Sequence, residues 1–169
     1  MNPSASHPDV VVVGAGIVGA ACAAALAREG LRVAIIDAEF PGSGTTSVGM
    51  GHIVVLDDSP AELALCTYSR RLWTALANSL PDDCEDEPRG TLWLATNDEE
   101  LAVARARRDV YDRNGVAASV LDERELAAQE PMLRRGLAGA LFVPDDRILY
   151  PPAAARHFVN EARARGAVL

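Results

Sequence analysis

The chain has 169 residues, 49% of them apolar, and 24 acidic against 16 basic side chains give a formal net charge of −8. That length allows a domain with a real core, while the acidic balance argues against nucleic acid, whose phosphates need a basic face. No apolar run has the length of a membrane span, and three cysteines without CxxC spacing argue against a disulfide framework or a metal site and suit a reducing cytoplasm.

Residues 1–8, "MNPSASHP", read as a disordered lead with no signal-peptide pattern. Residues 9–13, "DVVVV", form a short continuous apolar run of the kind buried on both faces in parallel sheets. Glycines interrupt it from Gly14 to Gly19. From Ala20 the chain is alanine-rich and helical, with Cys22 expected as a small buried residue and Gly30 as the stop. Residues 32–36 are a second strand ending at Asp37. Strand, turn, helix and strand make one βαβ unit, with a right-handed crossover expected.

The stretch "GSGTTSVGMGHIVV", residues 42–55, reads on its own as a linker or a holding loop. A helix follows, with Ser59 as N-cap, Pro60 in the first position and Glu62 completing a capping box. Leu65, Leu72, Leu76 and Leu80 share one face, beside Tyr68, Trp73 and Ala77, so that face is expected to pack on a core. The acidic segment 81–90 marks a crossing into a second layer, and its charges should raise the pKa of Cys84. Residues 90–96 read as a strand. Asn97 caps the next helix, with Glu100 at N3 and Gly115 as terminator. Its "RARR" run, residues 105–108, reads as a solvated face. A strand at 116–121, a short helix begun by Asp122 with Glu125 and closed by Pro131, and a strand at 138–144 come next. A last helix has prolines at its start and Gly166 at its end, and "AVL" begins one more strand. The expected fold is α/β, a Rossmann-like βαβ unit with an inserted α+β segment.

Gly14, Gly16 and Gly19 spell G-x-G-x-x-G. Alone the pattern is weak. Here it follows a strand, opens a helix, and is followed by Asp37, 18 residues beyond Gly19, near the spacing of about 20 in dinucleotide folds. Gly14 allows the tight turn, Gly16 lets a pyrophosphate approach the backbone, and Gly19 lets helix and strand pack closely. The helix N-terminus offers N–H groups to phosphate from Ala15, Ile17 and Val18. Asp37, with Ala38 beside it, can accept from ribose hydroxyls and would repel the extra phosphate of NADP. NAD and FAD share this geometry. The Gly/Ser/Thr loop, long helix and strand-rich continuation favour FAD, which needs a second cradle.

"VVVVGAGIVGAACAAALAREGLRVAIID" followed by "GSGTTSVGMGHI" resembles the N-terminal part of the FAD-dependent D-amino acid oxidase superfamily, with its glycine oxidases, sarcosine oxidases and D-amino acid dehydrogenases. "GTLWLAT", "LDERELAAQEPML" and "GALFVPDDRILYPPAAARHFVNEARARGA" fit the same pattern. "VGMGHIVVLDDSPAELAL" is most similar to flavoprotein subunits that oxidise D-hydroxyproline or related amino acids. The resemblance implies that residues 9–80 belong to an FAD-binding part, 81–149 to a partial substrate layer, and 150–169 to the return into the FAD domain. It implies non-covalent FAD. Gly44, Thr45, Thr46 and Ser47 would serve the phosphates, Gly49 and Gly51 would admit the ring, and Met50 would lie against it near the substrate. His52 stays open between a structural role and substrate contact. Family members are longer, so the chain is expected to be an N-terminal fragment.

The implied reaction oxidises an amine of a small amino acid, with hydride passing from its α-carbon to flavin N5. No catalytic side chain is assigned. Arg147 and Tyr150 are polar candidates near the layer crossing. Electrons could pass to oxygen or to a redox partner subunit, which could hold the chain at the periphery of the inner membrane. Two alternatives stay open: an FAD-binding fragment without activity, and an NAD-dependent reductase.

Overall fold

The computed structural model describes residues 7–55 and 59–169, so most of the expected disordered lead lies outside the described residues. In chain order the elements are β1 (Val10–Val13), α1 (Ile17–Arg28), β2 (Val33–Ile36), α2 (Thr45–Val48), β3 (His52–Ile53) and α3 (Pro60–Leu76). Then come β4 (Thr91–Ala95), α4 (Asp98–Arg113), β5 (Ser119–Asp122), α5 (Glu123–Gln129), β6 (Gly139–Val143), β7 (Arg147–Ile148) and α6 (Pro151–Ala164). Two compact units result. One holds residues 1–52, 76–86 and 149–169, the other 53–75 and 87–148. The expected division near residue 80 differs from this, because most of α3 packs with the second unit.

In the first unit β1 and β2 pair in parallel, Val10 opposite Val33 through Val13 opposite Ile36. Val168 adds an isolated parallel bridge to Ala34 where "AVL" is expected to begin a third strand. Helices α1 and α6 pack together through small residues. Ala20, Ala23, Ala24 and Ala27 are buried on α1, and Ala153, Ala154, Ala155, Phe158 and Ala162 on α6. Alanines let the two backbones approach without side-chain entropy loss. Cys22 lies off this alanine face and is exposed, not buried as expected. The expectation of burial on both faces also fails for β1. Val11 is 50% and Val13 83% exposed, because among the described residues helices cover only one face of this narrow sheet.

The second unit is a three-stranded antiparallel sheet in the order β4-β6-β5, with Leu141 opposite both Trp93 and Val120. Leu63, Ala104, Tyr111, Val116, Leu141 and Val143 form its main core with Val55. Each fully buried aliphatic chain contributes about 1.5–3 kcal/mol. Val55 is held at both polar groups: its N–H donates to Asp146 Oδ1 at 3.3 Å, and its carbonyl accepts from the Tyr111 hydroxyl at 3.2 Å. Asp146 also accepts from Arg70 Nη1 at 3.1 Å, and both side chains are buried.

That ion pair lies on the inward side of α3. Leu63 and Arg70 face inward, while Leu65, Tyr68 and Leu72 are 67%, 52% and 47% exposed. The expected face is therefore turned out at these three positions, while Trp73, Leu76, Ala77 and Leu80 are half-buried. Ser59 does cap the helix, accepting from Glu62 N at 3.2 Å. The last leucine-bearing turn changes to a 3-10 turn at Ala77–Ser79.

The other helix boundaries follow their caps. The Asn97 side chain accepts from Glu100 N at 2.9 Å, and Asp122 with Glu125 forms a reciprocal capping box on α5. Asn97→Ala should cost about 1 kcal/mol, visible as a lower denaturant midpoint with an unchanged slope. Within "RARR", Arg105 is exposed, whereas Arg107 lies 5.4 Å from the Trp93 ring centre and Arg108 pairs with Asp109. Cys84 is buried. Its thiol is pushed up first by that burial and then by Asp83, so it is not a reactive thiolate. No described helix is long and apolar enough to cross a membrane.

Candidate cofactor site

The site is built where β1 ends. Gly14 has φ 103, a conformation that only glycine adopts freely, and its N–H donates to Ile36 O at 2.7 Å. This turns the chain sharply into α1. A Cβ at Gly19 would lie 2.0 Å from the Gly14 carbonyl oxygen, so helix and strand are in backbone contact there. Gly16 is the N-cap of α1 and supplies no side-chain acceptor. The orphan N–H groups of a helix start need partners.

One partner comes from the second loop. Ile17 N–H donates to Thr46 Oγ1 at 3.0 Å, and a Cβ on Gly16 would meet that oxygen at 2.9 Å. Gly42 N–H also donates to Ala15 O at 2.9 Å. The glycine turn and the hydroxyl-rich loop, separate in the chain, are thus tied at two points. The loop contains the helical turn α2, which the glycines around it had hidden. Ser47 Oγ donates to Gly44 O at 2.7 Å, so its proton already serves the backbone. Thr46 accepts through its oxygen and keeps its own proton for a further acceptor.

Asp37 closes the other side. Its Oδ2 accepts from Ala15 N at 2.5 Å and its Oδ1 from Glu39 N at 2.9 Å. The Ala15 N–H, then that of Glu39, hold the carboxyl below its usual range. Asp37 is therefore ionised at neutral pH. Two carboxylate oxygens offer about four acceptor positions, which leaves capacity for ribose hydroxyls. Ala38, beside it, is exposed.

Apolar side chains stand open around the turn and loop: Val13 at 83%, Val18 at 75% and Met50 at 80% exposure. Gly49 has an ordinary φ of −71, and a Cβ there would come no closer than 3.6 Å to the described protein. Nothing in the fold requires glycine at 49. At Gly51, by contrast, φ is 71 and a Cβ would lie 1.8 Å from Leu149 O. The strict glycine of this pair therefore serves the fold. His52 is exposed, and its ring makes no hydrogen bond among the described residues. Arg147 belongs to the second unit and Tyr150 to the first, where Tyr150 N donates to Cys84 O at 2.7 Å. Sequence reasoning missed the Thr46 contact. Its one signal was a hydroxyl run beside glycines.

A backbone-tight turn, a helix start, an ionised acid at the end of β2 and a second loop with a free hydroxyl proton fit the pyrophosphate and ribose of FAD.

Comparison with known proteins gives the family. The profile described as "FAD dependent oxidoreductase" (DAO) matches residues 9–169. A glycine oxidase of Geobacillus kaustophilus is 31% identical over 95% of this chain and 45% of its own length. The crystal structure of glycine oxidase from that organism superposes with a TM-score of 0.86 over 96% of this chain and 46% of the other. An L-proline dehydrogenase from P. horikoshii gives 0.86 at 28% identity, covering 96% and 43%. The chain thus spans under half the length of these relatives. The match also decides the cofactor class that the glycine pattern left open, in favour of FAD over NAD. The chain belongs to the DAO family of FAD-dependent oxidoreductases.

Proposed function

We propose that the first unit of this chain binds FAD non-covalently and serves the oxidation of the CH–NH group of a small amino acid. The observation that carries the reading is the junction of the two loops at Thr46 and Ile17. In this reading the pyrophosphate lies along the turn formed by Gly14, Ala15, Gly16, Ile17, Val18 and Gly19, although the Ala15 and Ile17 N–H groups expected to serve it are already given to Asp37 and Thr46, and Asp37 with Ala38 holds the adenosine ribose. Gly44, Thr45 and Thr46 complete the phosphate side, with Ser47 shaping the turn through Gly44. Gly49 and Met50 lie against the ring, and His52 is free to meet a polar substrate group. Bound FAD supplies the two-electron acceptor for oxidation of the amine to an imine. The protein's part is to orient the substrate and exclude water. The named activities of its relatives, glycine oxidase and L-proline dehydrogenase, support a glycine- or proline-like substrate, D-hydroxyproline-like compounds included. A redox partner subunit fits a dehydrogenase-type acceptor.

The share of its relatives that the chain spans favours a second reading for these 169 residues by themselves: FAD binding without turnover. Both readings are tested together. Purified protein reconstituted with FAD should show the two-banded visible spectrum of an oxidised flavin. Bleaching by glycine, sarcosine or D-proline supports the catalytic reading; stable colour supports the binding one. Protein that stays colourless sinks both. Gly49→Ala should leave the melting temperature unchanged and weaken FAD at least tenfold in a fluorescence titration.

A further inference from the structure

The second unit contains an open cleft of about 870 Å³, within the size range of small-molecule sites. Arg70, Arg71 and Arg147 all line it, against one lining carboxylate, Asp145. This is a locally cationic surface on a chain of net charge −8. The floor has two polar groups with unused capacity. Arg70 is 7% exposed and uses Nη1 on Asp146 at 3.1 Å. Its other guanidinium donors have no acceptor among the described residues. The Thr67 hydroxyl, in the same lining, is buried with no hydrogen-bond partner.

A buried hydroxyl without a partner, as at Thr67, is costly, and a planar guanidinium matches an oxyanion through paired N–H bonds. Arg71 sits at the rim, over the Tyr68 ring at 5.2 Å. Leu63 and Tyr68 give the walls hydrocarbon surface. Asp145 and the Asp146 beneath Arg70 place negative charge close by. They would oppose a dianion more strongly than a monoanion. We propose that this cleft is a binding site for a small organic monocarboxylate, its carboxylate on Arg70, Arg71 and the Thr67 hydroxyl and its hydrocarbon part against Leu63 and Tyr68. The proposal does not depend on the FAD reading, since every residue it uses lies in the second unit.

Calorimetric titration of the 169-residue protein with hexanoate tests it, with hexylamine and inorganic phosphate as controls. Hexanoate should bind saturably, at least tenfold more tightly than either control. Arg71→Gln, at an exposed position, should fold normally by circular dichroism and weaken hexanoate about tenfold. Thr67→Val keeps the shape, removes the hydroxyl, and should weaken it several-fold. Equal affinity for hexanoate and hexylamine, tighter binding of phosphate, or unchanged affinity in both variants overturns the proposal.

Discussion

Gly19→Ala should disable the first unit. The added Cβ would sit 2.0 Å from the Gly14 carbonyl oxygen and 3.3 Å from Val12, and backbone cannot yield as a flexible side-chain end can. Helix α1 would have to lift from β1, opening the Ile17–Thr46 and Ala15–Asp37 bonds that join the turn to its surroundings. The expected loss is about 3 kcal/mol or more, at the upper end of overpacking effects. FAD retention should go with it. Denaturant melts and flavin titration, run beside Gly49→Ala, separate the two roles of glycine. The first variant fails in folding, the second only in binding. A Gly19→Ala protein with wild-type stability would refute the backbone contact.

Arg70→Met should cost about 3–5 kcal/mol at neutral pH, the usual penalty for stranding one member of a buried ion pair. Burial already pushes the Asp146 carboxyl above its ordinary value, opposed by Thr91, Arg70 and the Val55 N–H. Removing Arg70 raises it further. A group whose pKa is higher folded than unfolded holds its proton longer in the folded state. Stability therefore falls as pH rises between the two values. The deficit of Arg70→Met should be smallest in acid, where Asp146 is neutral, and deepen towards neutral pH. Replacing Asp146 by Leu as well should recover most of the loss, because no charge is then left buried. Unfolding curves at acid and neutral pH check both points. A pH-independent deficit would show that packing of the arginine stem, not charge, is what the substitution removes.

Much of the architecture is written in local chemistry. Asn97 and Asp122 announce α4 and α5 because a cap acts within three residues of itself. The apolar runs at 9–13 and 32–36 and the intervening glycines announce the βαβ turn, since each glycine answers a demand within a few residues. The loop at 42–55 and the helix and strands after it favoured FAD, and the family match decided it.

What periodicity misread is α3. Its leucines at 65 and 72 mark an apolar stripe, yet Leu63 and Arg70 point inward. The reason lies at Asp146, 76 residues from Arg70. Stranding a buried carboxylate without its cation is costly, and helical periodicity cannot register a partner so distant in the chain. Likewise Val11 and Val13 read as buried on both sides, but covering a strand takes neighbours that a run of valines cannot specify. The sequence by itself determined the helix caps and the turn and acid that mark a dinucleotide fold, because those act over short chain distances. Only the tertiary structure decided that Thr46 caps α1, that Gly51 serves the fold while Gly49 is free, and that Arg70 lies beneath a cleft. Each depends on atoms brought together from distant parts of the chain.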